Sequence, residues 1–433
     1  MTRAFLLSAA TLLAACSTQP NGEATGDRAG VRQAAPETPQ GVADASLDFG
    51  MRLQDAVRAR ADDPDETILI SPVSLSTAFG LLYIGSGGDT QAAIRDVLGF
   101  GPETDAFAAQ LGGLAAAVER DTVDYADRAV IVDVNNAVFL DENLDLTPGY
   151  EARVDAAYDA GLERVPFYRD TNAAVDAING WVKDKTRGLI DTVYDYPDLS
   201  ETTSDVLVNT LYMKAPWPSK FDVGMGEFRA PSGTRSVPIV TDRDDYPLID
   251  RNGYKAVLLP FSDPELAAVA ILPDRGLDRL ERSLGATELA TLLDDLDAAE
   301  TSYVDLELPK LSIEGSYKVG TILEKDLGLA IAFDADRADF RGRLDPALQT
   351  RYPIPFMGVV VSSVTHKTRL DLDEVGVEAA AVTAIESVVT TGARIRPEPV
   401  AFHVDRPFIF MLTHRPTGAP LFLARVTDPG EVD

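Results

Sequence analysis

The chain has 433 residues, of which 45% are hydrophobic, and this is enough to bury the core of one large domain. Its formal net charge is −30 at pH 7, and no basic stripe is present that could neutralise phosphate or sulfate groups. These properties exclude nucleic acid and heparin-like polyanions as partners. The acidity itself indicates a well-solvated surface, and it would favour the approach of a cationic protein.

The N terminus has the pattern of an export signal. Arg3 precedes a short apolar run that ends in Leu-Ala-Ala-Cys at 13–16, and the run is too short to span a membrane. Residues 1–15 resemble a bacterial lipoprotein signal peptide, which implies lipid on Cys16. Because Ser17 follows, the resemblance implies anchoring in the cell envelope, at the outer membrane of a Gram-negative bacterium. The alternative is an ordinary secretory signal of an extracellular protein.

Residues 16–45 contain Pro, Gly, Thr and Gln without apolar periodicity, and they are predicted to form a disordered tether. No second linker, internal repeat or further membrane-spanning run follows. Residues 46–433 are therefore predicted to form a single domain. Ser46 is a candidate cap for its first helix, because apolar residues follow at helical spacing.

Several segments of this domain have a clear periodicity. The sequence predicts a short buried strand before Pro72 and a helix that begins there, since proline is favoured in the first turn of a helix. It also predicts a strand over 128–140, a helix over 174–190 and a buried strand over 205–217.

The segment from Arg369 to Arg396 is ambiguous. It begins with alternating apolar and polar residues, as in a strand, and passes through Gly376 into a run of small residues. An alanine-rich helix is one interpretation. At period two, however, one face is free of charge, while Glu378 and Glu386 fall on the other. The segment is therefore compatible with a loop or helix and also with a strand buried on one face.

The motif DEVGVEAAAVTA, after the strand SSVTHKTRLDL, resembles the hinge of a serpin, a suicide inhibitor of serine proteases. The resemblance extends over essentially all of 46–433. It interprets 253–261 and 266–274 as paired strands, 302–333 as a strand followed by Lys310 and a helix, and 401–429 as a closing hairpin. It implies an α+β domain with a large mixed central β-sheet, two smaller sheets, surrounding helices and an exposed reactive loop at about 374–400.

In that family the target protease cleaves the loop, which inserts into the main sheet as a new strand and traps the acyl-enzyme. The resemblance implies three groups of residues. The hinge would comprise Glu374, Gly376, Val377, Glu378, Ala379, Ala380, Ala381, Val382 and Thr383. The shutter beneath the sheet would comprise Ser71, Ser74, Asn209 and His366, with His366 meeting Ser71 and Asn209. The breach at the top of the sheet would comprise Trp217, Lys310 and Glu374, with an ion pair between Lys310 and Glu374.

The position of the cleaved bond follows from the usual spacing in inhibitory members, which gives Thr390–Thr391. Because the loop is slightly longer than usual, Thr391–Gly392 is an alternative, and a trypsin-like protease could instead cleave at Arg394 or Arg396. The small apolar residues before Thr390 favour an elastase- or subtilisin-like serine protease as the partner. Because trypsin-like proteases cleave after arginine, Arg394 and Arg396 make such a protease an alternative partner.

Other classes of function have little support. The three histidines, His366, His403 and His414, are not accompanied by a G-x-S-x-G motif, and no Cys/His metal spacing is present. We therefore expect a monomeric inhibitor without a cofactor, a metal or an enzymatic activity. The alternative is a non-inhibitory serpin that acts as a binding or carrier protein. Val377 supports it, because inhibitory members usually carry Thr or Ser there.

Overall fold

The computed structural model describes residues 39–99, 104–123, 129–157, 161–345, 347, 361, 363–377 and 396–431. Its α-helices are α1 Pro39–Arg60, α2 Pro72–Gly85, α3 Gly88–Leu98, α4 Thr104–Val118, α5 Pro148–Ala157, α6 Thr171–Lys185, α7 Leu277–Ser283, α8 Ala286–Ala298 and α9 Val319–Lys325. Short 3-10 helices lie at Tyr196–Asp198 and Ala330–Phe333. None of the described helices is long and apolar enough to cross a membrane.

The strands are β1 Ile68–Ile70, β2 Arg120–Val123, β3 Ala129–Asp141, β4 Gly161–Val165, β5 Asp205–Pro216, β6 Asp222–Ala230, β7 Gly233–Arg251, β8 Tyr254–Pro260, β9 Leu266–Pro273, β10 Thr301–Pro309, β11 Leu311–Lys318, β12 Thr365–Leu372, β13 Gly376–Val377, β14 Val400–His403, β15 Phe408–His414 and β16 Ala419–Val426.

Seven strands form what we call the main sheet, in the order β11-β12-β13-β5-β3-β2, with β4 paired to β3. The sheet is mixed, because β4 runs parallel to β3 while β3 and β5 are antiparallel. On β12 the residues alternate between buried and more exposed positions, so one face of the sheet lies against the core.

The other nine strands are hydrogen-bonded in the order β1-β16-β15-β9-β8-β7-β10-β14, with β6 paired to β7. The 19-residue strand β7 pairs with β6 and β10 through its first part and with β8 through its last four residues. The two smaller sheets predicted from the sequence are thus joined through this one long strand. The α+β fold itself is confirmed.

Helix α2 lies in the core, with every one of its residues buried. Its sequence is apolar on all sides apart from small hydroxyl side chains, as expected for a helix with no solvent face. Pro72 lies in its first turn, as predicted, and Ser71 stands at its N-cap. Helix α6 covers the opposite face of the main sheet, where Val175 and Ile178 pack in one cluster with Phe139 of β3.

Two expectations about boundaries were wrong. Helix α1 begins at Pro39, so residues 39–45 belong to the folded domain and not to the tether, and Val42 is fully buried. Ser46 is consequently inside the helix, where its hydroxyl donates to the carbonyl of Val42 at 2.9 Å. Between Lys310 and α9 the chain also forms a strand, β11, that the sequence analysis did not separate from its neighbours.

Candidate functional site

The described part of the predicted hinge is a tight turn between β12 and β13. The carboxylate Oδ1 of Asp373 accepts hydrogen bonds from the N–H groups of Val375 at 2.7 Å and Gly376 at 3.1 Å. Gly376 has φ +150°, and a Cβ there would lie 2.2 Å from the carbonyl oxygen of Ala215. Only glycine permits this approach, so Gly376 brings the chain directly against β5.

Beyond the turn, β13 enters the main sheet between β5 and β12. Val377 is buried and pairs with Leu372 on one side and Ala215 on the other, antiparallel to both. Further down, the only pairing between these two strands among the described residues is one parallel bridge, Leu207–Val364. We call the boundary between β5 and β12 the seam. Within the described residues it is bridged by β13 at the top and by this backbone pairing at the bottom.

The predicted breach residues come together at the top of the seam. The ammonium Nζ of Lys310 lies 2.5 Å from the carboxylate Oε2 of Glu374, and Lys220 Nζ lies 3.4 Å from Oε1. The interaction with Lys310 is the largest cause that lowers the pKa of Glu374 to about 2. The carboxylate is therefore ionised at neutral pH and holds the turn to the loop that connects β10 and β11.

Trp217 fixes the same turn through its backbone and its ring. Its backbone N–H donates to the carbonyl of Val375 at 2.8 Å, and its indole N–H donates to the carbonyl of Asp373 at 3.0 Å. The buried ring stacks on Phe221 at 4.9 Å and on Phe261 at 4.5 Å. The path of the chain into the seam is thus set by a rigid aromatic stack.

Under the seam, His366 of β12 is buried with its Nε2 accepting a hydrogen bond from the backbone N–H of Ser71 at 3.0 Å. Burial lowers its pKa to about 3, so the ring is neutral. Among the described residues its Nδ1 has no hydrogen-bond partner, and neither has the hydroxyl of Ser71.

Asn209 of β5 forms a separate set of contacts. Its Oδ1 accepts from the hydroxyl of Ser74, and its Nδ2 donates to Oδ1 of Asn136 on β3 at 2.6 Å. The predicted contact between His366 and Asn209 is therefore wrong for this conformation. The physical reason is that the two residues lie on opposite sides of the seam, and Asn209 satisfies its amide on its own side.

The linker from α6 to β5, residues 186–204, crosses the seam on the face opposite the core. On one side the guanidinium of Arg187 lies 3.0 Å from the carboxylate of Asp133 and 4.8 Å from the ring centroid of Tyr212. On the other side Lys367 Nζ of β12 donates to the carbonyl of Thr192 at 2.8 Å. Sequence reasoning missed these residues, since only the Arg187-Gly188 helix end gave a signal.

The remaining predicted positions divide into two groups. Arg396 is described, and its guanidinium lies 4.7 Å from the ring centroid of Tyr303 and 3.7 Å from the carboxylate of Asp244. The others lie outside the described residues: Cys16, Glu378, Ala379, Ala380, Ala381, Val382, Thr383, Thr390, Thr391, Gly392 and Arg394.

Comparison with known proteins gives one consistent result. The family model described as Serpin (serine protease inhibitor) matches residues 44–429. Iripin-2 of Ixodes ricinus is 30% identical over 386 residues, covering 87% of this chain and 91% of its own. Human thyroxine-binding globulin, solved in complex with thyroxine, superposes with a TM-score of 0.75 at 25% identity, covering 91% of this chain and all of its own. Serpin48 of the insect Tenebrio molitor gives a TM-score of 0.75 at 25% identity, with 90% and 99% covered.

Proposed function

Because the chain belongs to the serpin family, we propose that it inhibits a serine protease by letting its own loop be cleaved and inserting it into the seam. Serpins are generally protease inhibitors and not enzymes. The observation that supports the proposal is β13, which already lies between β5 and β12 as the first two residues of a strand. The seam below it is joined by one bridge within the described residues.

The register of β13 defines how the strand would continue. Because β13 is antiparallel to both neighbouring strands, each successive residue after Val377 would pair with the preceding residue of each neighbour. Thr383 would then lie opposite both Asn209 and His366. Ile385 would lie opposite Leu207 and Val364, the two residues of the present bridge. Insertion must therefore open that bridge.

The residues on each face of the inserted strand would match the burial of their neighbours in the main sheet. Positions 379, 381 and 383 would share the face of Leu370, Thr368 and His366, which are buried. The sequence supplies Ala, Ala and Thr there, all small and uncharged. Glu378 would share the outer face with Asp371, which is only partly buried. No charge would have to enter the core along this stretch.

In the proposed reaction the serine hydroxyl of the protease attacks the carbonyl carbon of the scissile bond, with Thr390–Thr391 the expected position. The amide bond breaks, the new amine leaves with a proton, and an ester to the protease remains. The freed hinge then inserts. Residues 378–387 would lie opposite 214–205 of β5, and each new hydrogen bond contributes ~0.5–1.5 kcal/mol. The ester carries the protease with it before water can hydrolyse it.

The experiment is to mix the protein with an elastase-like, a subtilisin-like and a trypsin-like protease and to look for an SDS-stable covalent band. Ala381→Arg should convert the inhibitor into a substrate, because the guanidinium would have to enter the buried face beside Leu211 and Thr368. Ala380→Arg is the matched control. Its side chain would share the outer face with Arg369, which is exposed, and trapping should persist.

A non-inhibitory serpin is the second candidate function. It is supported by Val377, whose side chain is buried between two strands and has no hydroxyl, and by the similarity to thyroxine-binding globulin, which binds thyroxine. Clean cleavage of the loop with release of active protease, and no covalent band with any of the three proteases, would favour this candidate.

For localisation, we propose that Cys16 is lipidated after removal of residues 1–15 and that the protein is held at the cell envelope. The support is the signal pattern alone. Expression in a Gram-negative host with a radiolabelled fatty acid tests it. Label in the wild type and none in Cys16→Ala is expected, and an unlabelled wild type would contradict the proposal.

A further inference from the structure

Arg396 is the residue at which the described chain resumes after the reactive loop, and its side chain is not free in solution. The guanidinium carbon lies 4.7 Å from the centroid of the Tyr303 ring, within the range of a cation–π interaction. One guanidinium nitrogen lies 3.7 Å from the carboxylate of Asp244. The side chain therefore has two partners of different chemistry.

Both partners belong to rigid elements. Tyr303 lies on β10 and Asp244 on β7, and these strands are hydrogen-bonded to each other over nine residue pairs. Four residues after Arg396 the chain pairs with β10 again, as β14, beginning at Val400. The contacts of Arg396 thus attach the chain to this sheet four residues before β14 begins, on the side of the loop.

Resting on the function proposed above, we propose that Arg396 is a positioning residue that fixes the C-terminal end of the reactive loop, and that it is not a reactive-site residue. A trypsin-like protease must take the guanidinium of its target arginine into its own specificity pocket. Arg396 would first have to leave Tyr303 and Asp244. A trypsin-like protease is therefore directed to Arg394.

The sequence adds a second barrier at the same bond. Pro397 follows Arg396, so the bond after Arg396 is a tertiary amide in a segment with fixed φ. The barrier from proline and the barrier from the side-chain contacts can be separated, because Pro397→Ala removes the first and leaves the second. Any remaining protection of the Arg396 bond in that variant measures the contacts alone.

The fixed end has a consequence for any protease that cleaves upstream. Under this proposal the chain is held at Val377 on one side of the loop and at Arg396 on the other. A loop that is ordered in advance loses less entropy when it docks. Loss of the Arg396 contacts should therefore slow the association with the protease. It should not change the melting temperature of the cleaved form with its loop inserted.

The experiment uses the full chain and trypsin, with the cleavage products mapped by mass spectrometry over time. We expect Pro397→Ala to be cut after Arg394 at least about five-fold faster than after Arg396. Adding Tyr303→Leu and Asp244→Asn to Pro397→Ala should raise the rate of cleavage after Arg396 about five-fold. Adding Tyr303→Phe instead keeps the aromatic face and should leave cleavage as in Pro397→Ala. Equal cleavage after both arginines in Pro397→Ala would overturn the proposal, as would no change on removal of Tyr303 and Asp244.

A second measurement covers the case in which substitutions disturb β7 and β10. Arg396→Ala alone should lower the rate constant for association with an elastase-like protease about two- to five-fold, with an unchanged melting temperature of the nicked form. An unchanged rate constant would overturn the proposal. The first readout is cleavage and the second is the rate of association, so neither requires that the protease is trapped. If no covalent complex forms in the wild type, the proposed function fails while this inference is still decided by the cleavage map.

Discussion

The imidazole Nε2 of His366 accepts a hydrogen bond from the backbone N–H of Ser71 at 3.0 Å, and this bond joins β12 of the main sheet to the N-cap of buried helix α2. Since Nε2 accepts and the ring is neutral, its proton is on Nδ1. That buried N–H has no hydrogen-bond partner in the part of the chain that the structure describes. A polar group of this kind destabilises the present conformation and is available to a residue that inserts beside it.

Thr383 is the residue that the register of β13 would bring opposite His366. In the inserted strand its hydroxyl would be placed to accept from Nδ1. We therefore expect Thr383→Val to lower the melting temperature of the nicked form by about 1–4 °C and to leave that of the intact form unchanged. Thr383→Ser retains the hydroxyl and should behave as the wild type. Differential scanning calorimetry of both forms measures the effect, and an equal loss in Ser and Val variants would contradict it.

His366 also gives a pH dependence. Its folded pKa of about 3 is below its ordinary value of 6.5, so the unfolded state binds the proton more readily. The contribution of neutral His366 to the free energy of unfolding should be fully present above pH 6.5. It should fall as the pH drops below 6.5, by at most about 1.4 kcal/mol per pH unit.

In His366→Gln the free energy of unfolding, measured with denaturant, should depend less steeply on pH between pH 6.5 and pH 4.5 than in the wild type. The pKa of His414 is also lowered by burial, so the difference between wild type and variant isolates His366. Identical slopes in wild type and variant would rule out the assignment.

The ion pair at the breach titrates in a different window. The folded pKa of Glu374 is about 2 and its ordinary value is 4.5, so its contribution is present above pH 4.5 and is lost as the pH falls towards 2. We expect Lys310→Met to lower the stability of the intact form by ~1 kcal/mol at pH 7 and to flatten the profile below pH 4.5.

Lys220→Met is the control for that variant, because Lys220 lies 3.4 Å from the carboxylate and is about half exposed. Its effect should be smaller. Insertion after cleavage should also be faster in Lys310→Met, since the turn at Glu374 is less firmly held. Stopped-flow fluorescence of Trp217 follows insertion, and a slower rate in Lys310→Met would argue against this role.

The linker that crosses the seam should oppose its opening. Arg187 contacts the β3–β5 side, and Lys367 contacts the linker from the β12 side. We expect Arg187→Ala and Lys367→Met each to accelerate insertion about two- to five-fold, because separating β5 and β12 stretches these contacts. Lys183→Met is the matched control. It removes an ion pair with Asp191 that does not cross the seam, and its insertion rate should equal that of the wild type.

The sequence predicted the strands and helices with strong periodicity, and it failed where periodicity was weak or interrupted. In β11, Leu311, Ile313 and Tyr317 alternate as a strand requires. Only Lys310 separates them from β10, so the two strands were not distinguished. The first turns of α1 were missed because the apolar residues among 39–45 are too few to show a helical period.

The candidate site was predictable where it depends on local chemistry. The resemblance grouped Glu374 with Lys310, and the structure brings their charged atoms to 2.5 Å. It did not show that Asn209 and His366 have separate partners, because that depends on the spacing of two strands distant in sequence. The same holds for the Arg396–Tyr303 contact, which requires the register between β14 and β10.

The most direct test of the central claim is to nick the loop between residues 383 and 396 and to compare melting temperatures before and after. The strand hydrogen bonds formed by residues 378–387 should raise the melting temperature by roughly 10 °C or more. Ala381→Arg should show no such gain after the same cut. An unchanged melting temperature in the nicked wild type would contradict the account.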